Sequence, residues 1–237
     1  MAAHGPRTVA AILVAAGSGQ RLGAELPKAF VPVAGATLLE HAASRFRAHP
    51  GVGSIVVVAP GSYLDQAAAL GGAVVVAGGD TRQASVAAGL AAVGTEVELV
   101  LVHDVARPFV PDDVIEAVLA ALRGGADAVI PVVAIHDTVR RVGADGALAG
   151  VVDRSALVAV QTPQGFRRSV LSAAHARAGQ SAVTDDAGLV EAMGGRVVAV
   201  PGADESFKIT TPLDLARAEA IARLRSAPNS SIPGGIT

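Results

Sequence analysis

The segment from residue 10 to residue 30 reads AAILVAAGSGQRLGAELPKAF, and the rest of the chain can be understood around it. It begins with a run of small and β-branched residues, which is typical of a strand covered on both faces of a sheet. The run stops at a glycine-rich turn, and Arg21 and Lys28 follow it. Backbone N–H groups approach an anion closely where glycine leaves out the Cβ, and the two cations add full charges. The segment therefore predicts a phosphate-binding loop at the end of a buried strand.

The composition suits one α/β core and excludes several other kinds of protein. The 237 residues are 51% apolar but only 3% aromatic, so the core consists of Val, Ala, Leu and Ile. With a net charge of −2, the protein has no overall positive potential that would attract nucleic acid or an anionic membrane, so neither partner is expected. The absence of cysteine excludes disulfides, thiol nucleophiles and cysteine–zinc sites. Because no spanning segment or signal-peptide pattern is found, we expect a cytoplasmic protein.

Strand and helix patterns alternate between residues 8 and 227, which predicts one domain. The strand candidates are Val9–Ala15, Ile55–Ala59, Ala73–Ala77, Leu99–His103, Ala128–Val133 and Arg196–Val200. The helix candidates are Leu38–Ala48, Gln83–Val93, Asp112–Arg123, Arg168–Ala178, Asp185–Met193 and Leu213–Arg225. This alternation predicts a Rossmann-like α/β fold with a mostly parallel sheet, helices on both faces, and ligands beyond the carboxyl ends of the strands. Residues 1–7 and 228–237 lack periodicity, and we expect them to be disordered.

Residues 135–160 interrupt this alternation. A Gly-Ala-Asp-Gly turn at positions 143–146 separates two arms with alternating apolar residues, which predicts a β-hairpin. Its Val and Leu side chains have no place in a doubly wound sheet, so a protruding arm would bury them against a partner. We therefore predict a homodimer. The alternative is a hairpin that lies flat on its own domain.

Two familiar glycine-loop motifs do not fit residues 17–23, Gly-Ser-Gly-Gln-Arg-Leu-Gly. A dinucleotide fingerprint needs its third glycine where Leu22 stands and an acid after the second strand, where Ala59 and Pro60 stand. A Walker loop needs Gly-Lys-Ser/Thr after four spacer residues, which is also missing. Two interpretations stay open: a phosphate loop of another type, or a tight turn with two solvated cations.

The segment 102–108, Val-His-Asp-Val-Ala-Arg-Pro, follows a predicted buried strand. Asp104 stands at the carboxyl end of that strand, where a carboxylate can hold Mg²⁺ bound to phosphates. Arg107 can meet an anion from the other side. His103 is interpreted as a packed strand residue, because the other histidines show no metal-ligand spacing.

A second glycine turn, at positions 77–85, joins a predicted strand to a predicted helix. Gly78 and Gly79 allow the backbone to approach a flat ligand, and Ser85 lies in the first turn of the helix, so a base or ribose pocket can form here. The alternative is a Gly turn followed by Asp80 or Thr81 as a helix cap. Four further residues, taken alone, are indistinguishable from surface or turn residues: Thr138, Arg154, Thr162 and Lys208.

Taken in order, the motifs resemble one enzyme family. They are GSGQRLGAELPK, GGDTRQAS, VHDVARPF, DTVRR, VDR, TPQGF, TDDA and FKIT, spread from about residue 9 to residue 225. The chain resembles the 2-C-methyl-D-erythritol 4-phosphate cytidylyltransferases of the non-mevalonate isoprenoid pathway. The first motif is common to many nucleotidyltransferases, whereas the ordered set is far more specific. Among the departures from the family pattern, Val105 in place of Ala adds bulk beside the expected metal site.

The resemblance implies a role for each matching residue. The nucleotide would be held by Ala15, Ala16, Gly17, Gly79, Asp80, Ser85 and Asp104, with Asp104 also beside Mg²⁺. The catalytic residues would be Arg21 and Lys28, which stabilise the transition state, and Arg154 and Lys208, which position the attacking phosphate. The substrate would be bound by Arg107, Thr138, Arg154 and Thr162. Thr138 and Arg154 would reach the active site of the partner subunit.

The expected reaction joins CTP and methylerythritol phosphate and releases pyrophosphate. A phosphate monoester is already an anionic nucleophile, so no general base is required, in agreement with a chain that shows no catalytic triad. The alternatives are a cytidylyltransferase for another polyol phosphate such as ribitol 5-phosphate, a nucleotidyltransferase using another nucleotide, and a non-catalytic nucleotide-binding module. A dehydrogenase is disfavoured by the missing glycine and ribose-binding acid.

Overall fold

The fold is built on an eight-stranded sheet in a computed structural model that describes residues 9–17, 26–178 and 185–226. The strands are β1 (Val9–Val14), β2 (Pro32–Val33), β3 (Ala36–Thr37), β4 (Ser54–Ala59), β5 (Val74–Ala77), β6 (Leu99–Asp104), β7 (Ala128–Ala134), β8 (Val139–Val142), β9 (Leu148–Val152), β10 (Val158–Val160), β11 (Gln164–Arg167) and β12 (Val197–Pro201). The helices are α1 (Leu38–Ala48), α2 (Leu64–Ala68), α3 (Arg82–Ala91), α4 (Asp112–Arg123), α5 (Arg168–Arg177), α6 (Asp186–Ala192) and α7 (Pro212–Ser226).

The sheet is mostly parallel, as the sequence predicts. Its order is β10-β7-β11-β6-β1-β4-β5, and β12 also pairs with β7. β1 pairs in parallel with β4 and β6, β4 with β5, and β12 with β7, whereas β10 and β11 run antiparallel to their neighbours. The carboxyl ends of β1, β5 and β6 therefore meet at one edge.

β1 is the central strand, and alternate residues enter two different cores. Leu13 joins a cluster with Phe46 of α1 and Leu119 of α4, while Ile12 joins another with Val86 of α3. Both faces of the strand are buried, so no polar position is tolerated, and this explains the continuous apolar run. Each fully buried side chain of this size contributes about 1.5–3 kcal/mol.

The predicted strands and helices of the main domain are confirmed, with ends within two residues of those expected. The start of α7 is also as predicted: the Thr211 hydroxyl accepts the N–H of Asp214 at 3.2 Å, and Pro212 is the first residue. α2 and β11 were not predicted. The sequence of β11 shows no alternation, and it becomes a strand because it inserts between β6 and β7.

The β8–β9 hairpin is confirmed at residues 139–152. It leaves three large apolar side chains exposed, namely Val142 at 67%, Leu148 at 63% and Val151 at 65%. A hairpin folded flat on its own domain would bury such groups, so this alternative does not describe the chain. The predicted disorder of residues 1–7 and 228–237, and the predicted site residue Arg21, lie outside the described residues.

Candidate active site

A pocket of about 490 Å³ lies at the edge where the strands β1, β5 and β6 end. Its walls come from the turn after β1, the turn between β5 and α3, the end of β6, and two segments that each carry a lysine. The lining residues include Ala15, Ala16, Gly17, Lys28, Gly79, Asp80, Arg82, Ser85, Asp104 and Lys208. Most of the predicted nucleotide-binding and catalytic residues are therefore brought together in one pocket.

The turn between β5 and α3 packs directly against the turn after β1. A Cβ on Gly78 would lie 2.4 Å from the Cβ of Ala16, so only glycine permits this approach. The hydroxyl of Ser85 accepts the N–H of Gly79 at 3.2 Å and donates to the carbonyl of Thr81 at 2.9 Å. These two hydrogen bonds of Ser85 hold the turn in one conformation, and the backbone of the turn forms one wall of the pocket.

The helix cap in this turn is Thr81. Its hydroxyl oxygen accepts the N–H of Ala84 at 3.0 Å, which satisfies one of the free N–H groups at the start of α3. The sequence left Asp80 and Thr81 open as caps. Since Thr81 fills that role, the Asp80 carboxylate lines the pocket without serving as the cap.

Asp104 is held between two cations. One carboxylate oxygen lies 2.6 Å from Nζ of Lys208, and the other lies 3.3 Å from Nε of Arg82. Burial raises the pKa of the Asp104 carboxyl, but the charges of Arg82 and Lys208 lower it by more, so the pKa lies well below its ordinary value. Asp104 is therefore ionised at every pH at which an enzyme of this kind would work.

Arg82 is a site residue that the sequence did not reveal. Besides Asp104, it contacts Asp186, whose carboxylate oxygen lies 2.6 Å from Nη1. Burial lowers the pKa of Arg82, but the two carboxylates outweigh it and the pKa is raised. The sequence contained one indication of this role. Arg82 is the first residue of α3, where the helix dipole favours an acidic side chain, so an arginine at this position suggests that it binds a nearby acidic group.

Two lysines from distant parts of the chain meet at the same side of the pocket. Lys28 donates to the carbonyl of Ile209 at 2.8 Å, and Lys208 is the residue before Ile209. The N–H of Ile209 in turn bonds to the carbonyl of Ala106, next to the end of β6. Neither Lys208 nor this contact could be recognised from local sequence.

Behind Asp104 lies a buried hydrogen-bond chain. The carbonyl of Arg107 can only accept, so Nε2 of His103, 2.9 Å away, carries the proton. Nδ1 then accepts from the hydroxyl of Thr162 at 3.0 Å, and the same hydroxyl oxygen accepts the N–H of Asp104 at 3.1 Å. Burial lowers the pKa of His103 to about 4, so the ring is neutral. His103 is a packed residue, as predicted.

Arg107 connects three segments of the backbone. Its Nη1 donates to the carbonyl of Ser206 at 2.7 Å and its Nη2 to that of Val160 at 3.1 Å, and burial lowers the pKa of its guanidinium. Arg107 and Thr162 do not line the pocket in the described part of the chain. Their predicted contacts with substrate stay predictions.

Thr138 and Arg154 lie away from the pocket within one chain. Arg154 donates to the carbonyls of Ile135 and His136 and lines a second cavity of about 440 Å³ at the base of the hairpin. Thr138 is exposed one residue before β8. The structure of one chain therefore does not bring these two residues together with Lys28, although the sequence assigns them all to one reaction.

The donors in the pocket suit a metal ion that arrives with a nucleotide. Among the described residues, no three His, Cys, Asp or Glu side chains cluster as a metal cage would require. The pocket does contain the carboxylates of Asp80 and Asp104. Mg²⁺ in nucleotide enzymes commonly takes one or two carboxylates and completes its shell with phosphates and water, so this donor set fits it.

The fold and the pocket define a class of protein. The segment of residues 15–17 at the end of a parallel strand, the glycine turn beside it at residues 77–81, and a charged cluster at the same edge are the features of an α/β enzyme that binds a nucleotide. Within the described residues, no helix combines the length and the apolar character that crossing a bilayer requires.

Comparison with known proteins gives the particular family. The model of the 2-C-methyl-D-erythritol 4-phosphate cytidylyltransferase family matches residues 9–224, and the chain belongs to this family. A curated member from Frankia casuarinae is 51% identical over 215 residues, covering 90% of this chain and 80% of the relative.

Solved structures similar to this chain belong to enzymes of the same family. The enzyme from Thermus thermophilus with the same name is 41% identical, with a TM-score of 0.74 over 90% of this chain and 98% of that one. The 4-diphosphocytidyl-2C-methyl-D-erythritol synthase from Anaerococcus prevotii is 30% identical, with a TM-score of 0.80 over 92% of this chain and 99% of that one. The resemblance inferred from the ordered motifs is thereby confirmed.

Proposed function

We propose that this pocket transfers the cytidylyl group of CTP to 2-C-methyl-D-erythritol 4-phosphate, giving 4-diphosphocytidyl-2-C-methyl-D-erythritol and pyrophosphate. The observation that carries the proposal is the Asp104 carboxylate held between Lys208 and Arg82 beside the glycine turns. The family and its curated members have this activity in their names, so ribitol 5-phosphate is not the favoured acceptor. The reaction contributes to isoprenoid precursor synthesis.

The chemistry requires positioning and charge rather than a base. An oxygen of the acceptor phosphate attacks the α-phosphorus of CTP, the new P–O bond forms, and the bond to the β-phosphate oxygen breaks with pyrophosphate leaving. Both reactants are anions, so their repulsion is the main obstacle, and fixed cations lower it. Lys28, Lys208 and Arg82 line the pocket and supply that charge. Arg21 is expected to add to it from the loop after β1.

The two glycine turns form the proposed nucleotide site. Ala15, Ala16 and Gly17 from one segment and Gly79, Asp80 and Ser85 from the other line the same pocket, and their backbone groups and small side chains suit a pyrimidine and a ribose. Backbone groups that are already fixed lose little entropy when a ligand binds. The triphosphate would then extend toward the lysines.

Asp104 is the proposed ligand for Mg²⁺, with Asp80 close enough to the pocket to assist. When bound, the ion supplies charge neutralisation for the phosphates. The protein keeps Asp104 ionised and oriented through Lys208, Arg82 and the N–H contact to Thr162. Lys208 is 41% exposed at its side chain, so it can exchange the carboxylate for an incoming phosphate.

A homodimer through residues 135–160 is proposed to complete the active site. The exposed apolar side chains of the β8–β9 hairpin need a cover, and a second copy of the chain is the partner expected. Arg154 and Thr138 would then serve the pocket of the other subunit. The domain of residues 8–227 and the cytoplasmic location are proposed on sequence grounds.

Pyrophosphate release tests the proposal. Purified protein is incubated with CTP, Mg²⁺ and either methylerythritol phosphate or ribitol 5-phosphate, and a third reaction contains ATP in place of CTP. Release with CTP and methylerythritol phosphate alone is expected. Release only with CTP and ribitol 5-phosphate would support cytidylyl transfer but contradict methylerythritol phosphate as the acceptor. CTP binding with no release in any reaction would favour the binding-module alternative.

A further inference from the structure

The TDDA motif at residues 184–187 contains a buried carboxylate that no step of the proposed reaction uses. Asp186 is the first residue of α6 and only 1% exposed, and it does not line the pocket. An ionised group in such a place is costly unless every oxygen has a partner. The partners of Asp186 therefore indicate what the residue is for.

Both carboxylate oxygens of Asp186 are engaged. Oδ2 lies 2.6 Å from Nη1 of Arg82, and Oδ1 lies 3.0 Å from Nε2 of His175 on α5. The Arg82 contact is charged and short, which places it among the stronger hydrogen bonds in proteins. His175 and Arg82 hold different oxygens of the carboxylate, so Asp186 cannot turn without losing a partner.

The contact with Asp186 and the contact with Asp104 are made by different nitrogens of the Arg82 guanidinium. Nη1 of Arg82 is held at 2.6 Å by Asp186, while Nε faces Asp104 at 3.3 Å. A guanidinium is rigid and planar, so fixing one nitrogen fixes the direction of the others. Of the two contacts, the one to Asp186 is the shorter.

The start of α6 is itself held in place by the neighbouring acid. Asp185 accepts the N–H of Gly188 at 3.0 Å as the helix cap, and its other oxygen accepts Nε2 of Gln164 at 2.8 Å. Gln164 lies two residues after Thr162, which receives the N–H of Asp104. Asp185 therefore steadies the helix but has no contact with Arg82 among the described hydrogen bonds, which makes it a matched control.

We propose that Asp186 is a positioning residue of the active site: it anchors Arg82 so that the guanidinium stays against Asp104 and presents its charge to the triphosphate. Without this anchor, Arg82 would retain its charge but not its direction. The inference rests on the proposed function for its kinetic consequence, whereas the placement of Arg82 can be tested without any reaction.

The structural test compares crystal structures of Asp186→Asn and Asp185→Asn. Asparagine preserves the size of the side chain and removes its charge. In D186N the Arg82 guanidinium is expected to leave its contact with Asp104, whereas in D185N the contact stays. An Arg82 that keeps its position in D186N would overturn the proposal, whatever the activity of either protein.

The functional test is a double-variant cycle of D186N with Arg82→Gln, measured as kcat/KM for CTP and as CTP affinity without acceptor. Each single variant is expected to lose about tenfold or more, and the double variant should lose no more than the worse single one, because both changes remove one interaction. D185N should stay within about twofold. Losses that multiply, or an equal loss in D185N, would indicate a merely structural role. If the wild-type protein binds CTP but releases no pyrophosphate, the proposed function is rejected. The role of Asp186 would then be decided by the CTP affinities of the same variants.

Discussion

Asp104 is the residue on which the charges of the pocket converge. Its two carboxylate oxygens contact Lys208 and Arg82, and its backbone N–H donates to the hydroxyl oxygen of Thr162. The sequence predicted Asp104 and both lysines as site residues. It could not predict Arg82, because the contacts that place it in the site join it to Asp104 and to Asp186, which are 22 and 104 positions away in the chain.

Lys28 is expected to act on the transition state. The change Lys28→Ala should lower kcat of pyrophosphate release by about 10²–10³, because it removes a fixed charge from the phosphates as negative charge moves to the leaving group. Steady-state kinetics with CTP measures this effect. Lys28→Arg keeps the charge and should retain more activity. A rise in KM at unchanged kcat would contradict the role.

His103 is expected to make stability depend on pH. In the folded protein its pKa is lowered to about 4 by burial, whereas in the unfolded chain it takes up a proton near 6.5. Between these values the unfolded state binds more protons, so the free energy of unfolding falls as the pH drops through this window. The contribution amounts to about 3 kcal/mol between pH 7 and pH 4.

Urea denaturation of wild type and His103→Gln at several pH values measures this contribution. Gln does not titrate, so the wild type should lose stability more steeply than the variant between pH 6.5 and pH 4. Asp104 also loses its stabilising contribution as the pH falls from about 5 through its lowered pKa, but this loss occurs in both proteins and largely cancels when their curves are compared. Parallel curves for the two proteins would show that His103 is not neutral in the fold.

At the scale of elements, the pocket depends on how closely the turn between β5 and α3 approaches the turn after β1. The sequence predicted both turns and the helix that follows. It could not predict that Gly78, rather than Gly79, makes the contact with Ala16. A glycine in a sequence shows that another group can approach the backbone closely at that position, but only the tertiary structure shows which residue does so.

Gly78→Ala is expected to damage the pocket. The added Cβ would meet the Cβ of Ala16 at 2.4 Å, so the two turns must separate, at a cost of about 1–3 kcal/mol. Pyrophosphate release should fall at least about tenfold, an amount equal to 1.4 kcal/mol in transition-state free energy. Thermal unfolding and kinetics together measure the change.

Gly61→Ala is the matched control, since a Cβ at Gly61 has nothing within 4 Å. This variant should keep wild-type activity. The double variant Gly78→Ala with Ala16→Gly should recover part of the loss, because it removes the atom that clashes. A fully active G78A protein would mean that the turns are not in close contact.

The antiparallel strand β11 shows where local sequence patterns fail. Its residues Gln164–Arg167 have no strand periodicity, and the sequence predicts no strand there. A Cβ on Gly165 would lie 2.4 Å from Cγ1 of Val118 on α4, so the strand is shaped by helix packing rather than by its own propensity.

At the scale of the whole molecule, the predicted catalytic residues that the structure describes fall into two groups. Lys28 and Lys208 line the pocket, whereas Arg154 lines a separate cavity at the base of the hairpin. A dimer in which each hairpin reaches the other subunit would reunite them. This arrangement remains a proposal, and it makes activity a property of two chains.

Mixing two inactive variants tests this arrangement. Lys28→Ala lacks a pocket residue, and Arg154→Ala lacks an arm residue. A mixed dimer would contain one site with both residues intact, so the mixture should regain up to about one quarter of wild-type activity, as random pairing of shared sites predicts. Mixing each variant with itself is the control. No recovery, with subunit exchange confirmed by sedimentation of a tagged chain, would contradict sites shared between subunits.

The sequence by itself determined the α/β class, the order of the main strands and helices, and the ordered motifs that identify the family. These depend on local patterns: apolar runs, glycine turns and helix caps act within a few residues. Only the tertiary structure decided that Asp186 supports Arg82 and that β11 completes the sheet. Such contacts join residues far apart in the chain, and their energy depends on distance, burial and charge in three dimensions, which no local pattern records.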